Sequence, residues 1–570
     1  MPFENRGMTL IDVLVGTSVA VIIFLGIFVI LQASASITGA SASKATALAL
    51  ANGRIEMLRS LPYASIGTVG GIPSGAIAQE ETIYSDLVPY EVRTFISYYD
   101  DAKDGSGAAD SNGIQADYKR AKVTVTYETQ NGEREVAVVS TFAPIGIETT
   151  AGGGTLRVVV VDADGVAVPG AEVVVENPNT TPTIDVTTYT DFAGYALFPG
   201  AATSTGYEVS VTKGGWSTAR TYSQDATNQN PTPGHLTIAG GQTTTGTFAI
   251  DELAAVLVRS FTPVVPGTWS DAFIDASNLV TMVGVSVGGG ELTLATGADG
   301  YEASGAAVAS SVAPTYLVAW HEASFTPATP GGTTLLVKVT DAAGTLVPDA
   351  ALPGNSSGFA ASPIDLSALA TSTYPSLSLR AELSTAATTT TPTLADWGLA
   401  YSRGPIPYPS LAFSLTGAKA IGSTVGGAPI YKTELDETTD SSGSIGLDLE
   451  WDSYTLSLSG PVIIDTCAAF PLEVAPGAGM TADIIVATST GNALKAYAKF
   501  LSGSAVASPT FTLSRSGFSR TLPGNVCGFA YFGDLTPAAD YALSVTSTST
   551  TESFTDISIS GLSSYDAILD

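Results

Sequence analysis

VLVGTSVAVIIFLGIFVILQ, residues 13–32, runs for twenty residues without a charge. At about 1.5 Å per residue, a helix of this length spans the roughly 30 Å hydrocarbon core of a bilayer. Arg6 and Asp12 stand just before it, and the apolar run is longer than the core of a secretory signal, so a removable signal of that kind fits poorly. Downstream, SASKATALALANGRIEMLRSL keeps an Ala- and Leu-rich helical composition as far as Pro62, which supplies the stop. One long helix is expected, apolar in its first half and mixed in its second.

The residues at the head of the run, Arg6-Gly7-Met8-Thr9-Leu10-Ile11-Asp12, resemble the signature of type IV prepilins. The resemblance implies a leader of residues 1–7, cut after Gly7 by a prepilin peptidase, and N-methylation of Met8. It makes Asp12 the acid of the fifth mature position, paired during assembly with the amine of a neighbouring subunit. Such pairing is physically required, because a carboxylate in hydrocarbon costs several kcal/mol when alone. Met8 stands where the family usually has Phe, and Asp12 where it has Glu. A plain membrane anchor with Asp12 at the headgroups is the competing reading. The implied layout is a helix over residues 8–60, with 8–32 in the membrane or filament core, and an antiparallel sheet within 61–148.

Alternating runs support that sheet: residues 90–98, 121–127 and 135–141 each read as strands of period two. Asn131-Gly132 lies between the second and third, a pair favoured in tight hairpins. The intervening loop carries Asp100, Asp101, Asp104 and Asp110 among glycines. Several carboxylates on such a loop suit Ca²⁺, but the spacing and closing Glu of an EF-hand are missing. A solvated loop is the preferred reading, with calcium the only cofactor considered.

Beyond Ala151-Gly152-Gly153-Gly154 the chain reads as β-modules. The strands around 156–161, 171–175, 195–198 and 207–211, with D-x-x-G turns between them, resemble carboxypeptidase regulatory-like and collagen-adhesin stalk domains, which are small β-sandwiches. The resemblance places one such module at 154–252. Weaker copies are expected at 407–485 and 490–570, both Ig-like. Residues 255–404 differ, with longer strands and Trp269, Trp320 and Trp397, and read as a larger sandwich or jelly roll. The fold class is therefore an α+β N-terminal unit followed by all-β tandem sandwiches. Trp269 and Trp320 are candidates for stacking on a glycan, against the commoner role of core aromatics.

Composition narrows the function. Fifty-three acidic residues against 23 basic give a net charge of −30, which excludes binding to the nucleic-acid polyanion. The two histidines, His235 and His321, lie in no metal or nucleophile motif, so an enzyme is disfavoured. Cys467 and Cys527 are the only cysteines, and outside the membrane they would form a disulfide. The combined reading is a minor type IV pilin-like subunit, processed at the inner membrane and assembled into a surface filament with other pilin subunits. A surface or glycan ligand is expected. A pseudopilin of a secretion or DNA-uptake system, and a membrane-anchored surface enzyme, are the alternatives.

Overall fold

The computed structural model describes residues 10–85, 88–99, 103, 117–129, 132–145, 153–488, 491–548 and 550–570. It opens with α1, Leu10–Arg59, a helix of 50 residues. Only its distal part finds a partner. Ala47, Ala51, Ile55 and Leu58, spaced to share one face, are buried on a four-stranded antiparallel sheet. The sheet runs β1 (Glu80–Ser85), β2 (Val88–Tyr99), β3 (Tyr118–Thr129) and β4 (Gly132–Phe142), in that order. Val92, Ile96, Val123 and Val125 supply its side of the core. The fourth strand, β1, was not expected; EETIYS is too polar to announce a strand, and its side chains are largely exposed. Thr129 pairs with Gly132, so Gly132 belongs to the ladder and not to the turn.

Three sandwiches of one design follow. In the first, residues 153–252, strand Gly154–Val161 pairs in parallel with Thr243–Ala249. The second pairs Ala254–Thr262 with Gly479–Ala487, and the third Ala493–Phe500 with Leu562–Leu569, again in parallel. Each has a turn opened by Asp or Asn and closed by glycine. Gly194, Gly443 and Gly528 have φ of 75°, 75° and 71°. Their carbonyls accept from Val160, Ser260 and Ala498 at 2.8, 2.7 and 2.7 Å. A Cβ on these glycines would lie within 2.8 Å of the carbonyl oxygen of the same three residues, so the conformation and the space both demand glycine. Each copy also carries a buried tyrosine whose hydroxyl donates to a carbonyl a few residues upstream: Tyr207 to Ala202, Tyr454 to Glu450 and Tyr541 to Thr536.

These pairings correct two expected boundaries. Strand Ala254–Thr262 does not open the large domain at 255–404; it is the first strand of the second sandwich, whose remainder lies in residues 406–487. Arg259 and Asp483, 224 positions apart, form a two-bond salt bridge across this pairing. The large domain, residues 264–405, is thus an insertion into the second sandwich. It consists of two antiparallel sheets around a core that includes Trp320, Trp397, Phe273 and Leu379. Sequence order hid the insertion because it separates strands that pair in space.

Candidate functional site

The described part of α1 is unusual in what it leaves uncovered. Leu14, Phe24, Phe28 and Leu31 are 61, 73, 64 and 63% exposed, and the helix is long and apolar enough to cross a membrane. Within residues 14–31 the two hydroxyl residues are turned inward: Thr17 and Ser18 donate to the Leu14 carbonyl at 3.0 and 2.7 Å. Back-bonding of this kind removes their need for water, so this surface suits lipid or another helix. Gly7 and Met8 lie outside the described residues, as does the side chain of Asp12.

At the other end of the helix, Lys119 is buried at 2% exposure. Its Nζ donates to the carbonyls of Tyr63 and Ile66, both at 2.9 Å, and lies 4.6 Å from the Tyr63 ring centre. It thereby fixes the turn that carries the chain from α1 towards the sheet. Sequence reasoning passed over this residue, although alternation along β3 places it on the face of Ala121, Val123 and Val125. The loop that follows sends Ile72 into the core of the first sandwich. There Asp185 donates its amide to the Gly70 carbonyl at 2.8 Å, and Gln79 bridges Val69 and Asp185. Arg93 of β2 donates to the hydroxyl of Tyr189 at 2.8 Å. Burial raises the Tyr189 pKa, which keeps that hydroxyl protonated.

The first and second sandwiches are also bound to each other. Asn230 and Ser423 exchange backbone hydrogen bonds at 3.2 and 3.3 Å, and Thr232 donates to Ile421 at 3.0 Å. Beside this ladder Lys432 reaches the Thr218 carbonyl at 2.6 Å and pairs with the buried Glu450. Lys419 stands 3.2 Å from the Trp451 ring centre, and burial pushes its pKa down to about 8, with Glu450 opposing the shift. These residues carry no motif: the second sandwich gathers Lys419, Lys432, Glu450 and Trp451, and Lys432 carries the cluster across to Thr218 of the first.

Cys467 and Cys527 are bonded, with Cα atoms 5.6 Å apart, and they join the second sandwich to the third. The expected glycan-stacking tryptophans are differently placed. Trp320 is 1% exposed and donates its Nε1 proton to the Tyr374 carbonyl at 2.8 Å, so it is core and not a ligand platform. Trp269 is half-buried against the same core. Of the acidic loop, Asp100, Asp101, Asp104 and Asp110 all lie outside the described residues. Among the described residues no group of three or more His, Cys, Asp or Glu is placed to hold a metal.

His235 Nδ1 is 3.9 Å from a Glu208 oxygen. His321 Nε2 lies 2.6 Å from Ser402 Oγ, but Ser402 is completely buried, so no substrate reaches that hydroxyl. Burial depresses the His321 pKa, partly offset by Glu322.

No family model and no curated protein matches the chain. Among solved structures it aligns with the Bacillus anthracis TIE protein at 10% identity and a TM-score of 0.16, over 80% of this chain and 59% of that one. It thus spans under two thirds of that protein's length. BcpA, the major pilin subunit of Bacillus cereus, aligns at 9% identity and a TM-score of 0.13, over 73% of this chain and 99% of the other. The RrgB pilus protein from Streptococcus pneumoniae gives 9% and 0.13, over 73% and 94%. Global similarity at this level is too low to define a shared fold.

Proposed function

We propose that the chain is a non-enzymatic subunit of a type IV pilus-like surface filament, placed at the tip or at rare positions as a minor pilin. Its β-modules would then present an adhesive surface for a glycan or another surface ligand. The observation that carries this reading is the division of α1: residues 14–31 expose a continuous apolar surface, while Ala47, Ala51, Ile55 and Leu58 are sealed against β1–β4. A helix so divided both anchors a subunit in the membrane and, once freed, packs among the helices of its neighbours. Gly7 and Met8 give the peptidase its cleavage site, and Asp12 gives the assembling helix its charge partner. The long β-rich ectodomain fits a position where neighbours need not pack all round it.

The test is mass spectrometry of the N-terminal peptide from sheared surface filaments. A peptide beginning at methylated Met8 is expected. An intact Met1 confined to the membrane fraction would overturn the pilin reading and leave a membrane-anchored chain of β-modules. A processed protein that stays in the envelope and never reaches sheared filaments would favour the pseudopilin alternative.

A further inference from the structure

The inserted domain is joined to the second sandwich by a short neck. The last pairs of the sandwich are Phe261–Pro407 and Thr262–Ile406, and the first pair of the inserted domain is Val265–Arg403. Between them lie residues 263–264 and 404–405. Pro263 and Pro405 have no amide hydrogen, and Gly404, at φ 121°, spends its own on Tyr316 within the inserted domain. The neck therefore has little ladder of its own to resist bending.

The third sandwich braces it. Val264 packs on the core of that module, and Pro263, Val264 and Pro405 face Leu522, Pro523 and Phe529 across a cavity of about 30 Å³. What keeps the third sandwich there is limited. Ile464, Ala493, Phe529 and Tyr531 form a small shared apolar cluster. Among the described residues no salt bridge crosses this junction. Besides the main chain that runs from Ala487 on to Ala493, the covalent tie is Cys467–Cys527, and both ends of it sit beside these contacts. Cys527 donates its amide to Asn525 Oδ1 at 3.0 Å, and Asn525 also lines the cavity. Cys467 donates its amide to Asp465, whose carboxylate reaches Asn525 and Tyr497 of the third module.

We propose that the Cys467–Cys527 bond is a lock on the inserted domain. By holding the third sandwich against the neck, it fixes the orientation in which residues 264–405 are displayed. The bond thus acts on a domain that contains neither cysteine.

Spin labels carried on non-natural amino acids at Phe192 and Ile274, which are 98 and 87% exposed, report the distance from the first sandwich to the inserted domain. A second pair, at Phe192 and Leu501, reports on the third sandwich. The full-length protein is measured in detergent before and after reduction with a phosphine, and again as the Cys467→Ser/Cys527→Ser variant. Reduction of the folded chain covers the case in which that variant fails to fold. Both distance distributions are expected to broaden at least twofold on reduction. In Val264→Ser, with the disulfide intact, only the Phe192–Ile274 pair is expected to broaden. If reduction broadens only the Phe192–Leu501 pair, or neither pair, the lock does not exist.

Discussion

Ser260 and Tyr408 are hydrogen-bonded to each other across an entire inserted domain. The Tyr408 amide donates to the Ser260 carbonyl at 2.8 Å, and Ser260 Oγ donates to the Tyr408 carbonyl at 2.7 Å, although 148 positions separate them. In the first sandwich Val168 donates to Val160 at 3.0 Å, and in the third Val506 donates to Ala498 at 2.9 Å. Those two partners are joined only by short turns. One backbone bond is therefore closed in three copies, twice by a few residues and once by a domain.

It follows that the insertion is dispensable for the second sandwich. Replacing residues 263–405 with residues 163–165, the turn at the equivalent place in the first copy, should leave that sandwich folded and the Cys467–Cys527 bond formed. Closing a short loop costs less entropy than closing a long one, so local stability should not fall. Native-state hydrogen exchange at the Ser260 and Val258 amides checks this. Exchange at the unfolded rate would show that the inserted domain holds the sandwich together.

The glycines that close the recurrent turns should be intolerant. Gly443→Ala and Gly528→Ala each put a Cβ in left-handed backbone, at about 1–2 kcal/mol, and add a clash with a carbonyl oxygen. Thermal unfolding should show a loss of about 2–4 kcal/mol in the affected module. Gly528→Ala should also slow disulfide formation, since Cys527 is its neighbour. Gly165→Ala is the comparison: its Cβ meets open space, although φ is 81°, so only the backbone cost should remain.

His321 gives the inserted domain a pH dependence. Its folded pKa lies below the ordinary 6.5, with burial the larger cause and Glu322 opposing it, while Ser402 faces it from the neighbouring strand. As pH falls below 6.5 the unfolded chain takes up the proton before the folded one does, so stability drops with acid and is complete above that point. Hydrogen exchange of the Ala323 amide, corrected for intrinsic rate, should show a more open domain at pH 5.5 than at pH 7.5. His321→Gln should flatten that difference. An unchanged profile in the variant would remove His321 as its source.

How much of this was legible in the sequence depends on the distance over which each signal acts. The helix was readable because apolar length and Pro62 are local. The recurrent turns were readable from D-x-x-G, since Asp191 and Asp440 accept amides two and four residues onward. Pairing between remote strands leaves no local trace, so Ala254–Thr262 was assigned to the wrong domain. Trp320 illustrates a different limit: a tryptophan in a strand has the same local pattern whether it faces the core or a ligand. The contact of Lys432 with the Thr218 carbonyl exists only once two modules meet.

Lys119 tests whether the turn after α1 depends on one buried cation. Lysine is an expensive residue to bury, and here two carbonyls and the Tyr63 ring repay the cost. Lys119→Met keeps the length and apolar stem of the side chain but removes every donor. The Ile66 carbonyl then loses its ammonium partner inside the core, whereas the Tyr63 carbonyl still accepts the Ile66 amide at 3.1 Å. A buried acceptor left unsatisfied costs about 1–3 kcal/mol, so the helix–sheet unit should lose that much. The loss should spread to the loop that sends Ile72 into the first sandwich, read as faster exchange at Gly71 and at Asp185, whose amide bonds Gly70. Lys119→Arg, which keeps the charge but not the fit, should lie between the two. If Lys119→Met were as stable as the parent, with Asp185 still protected, the turn would be held by packing alone.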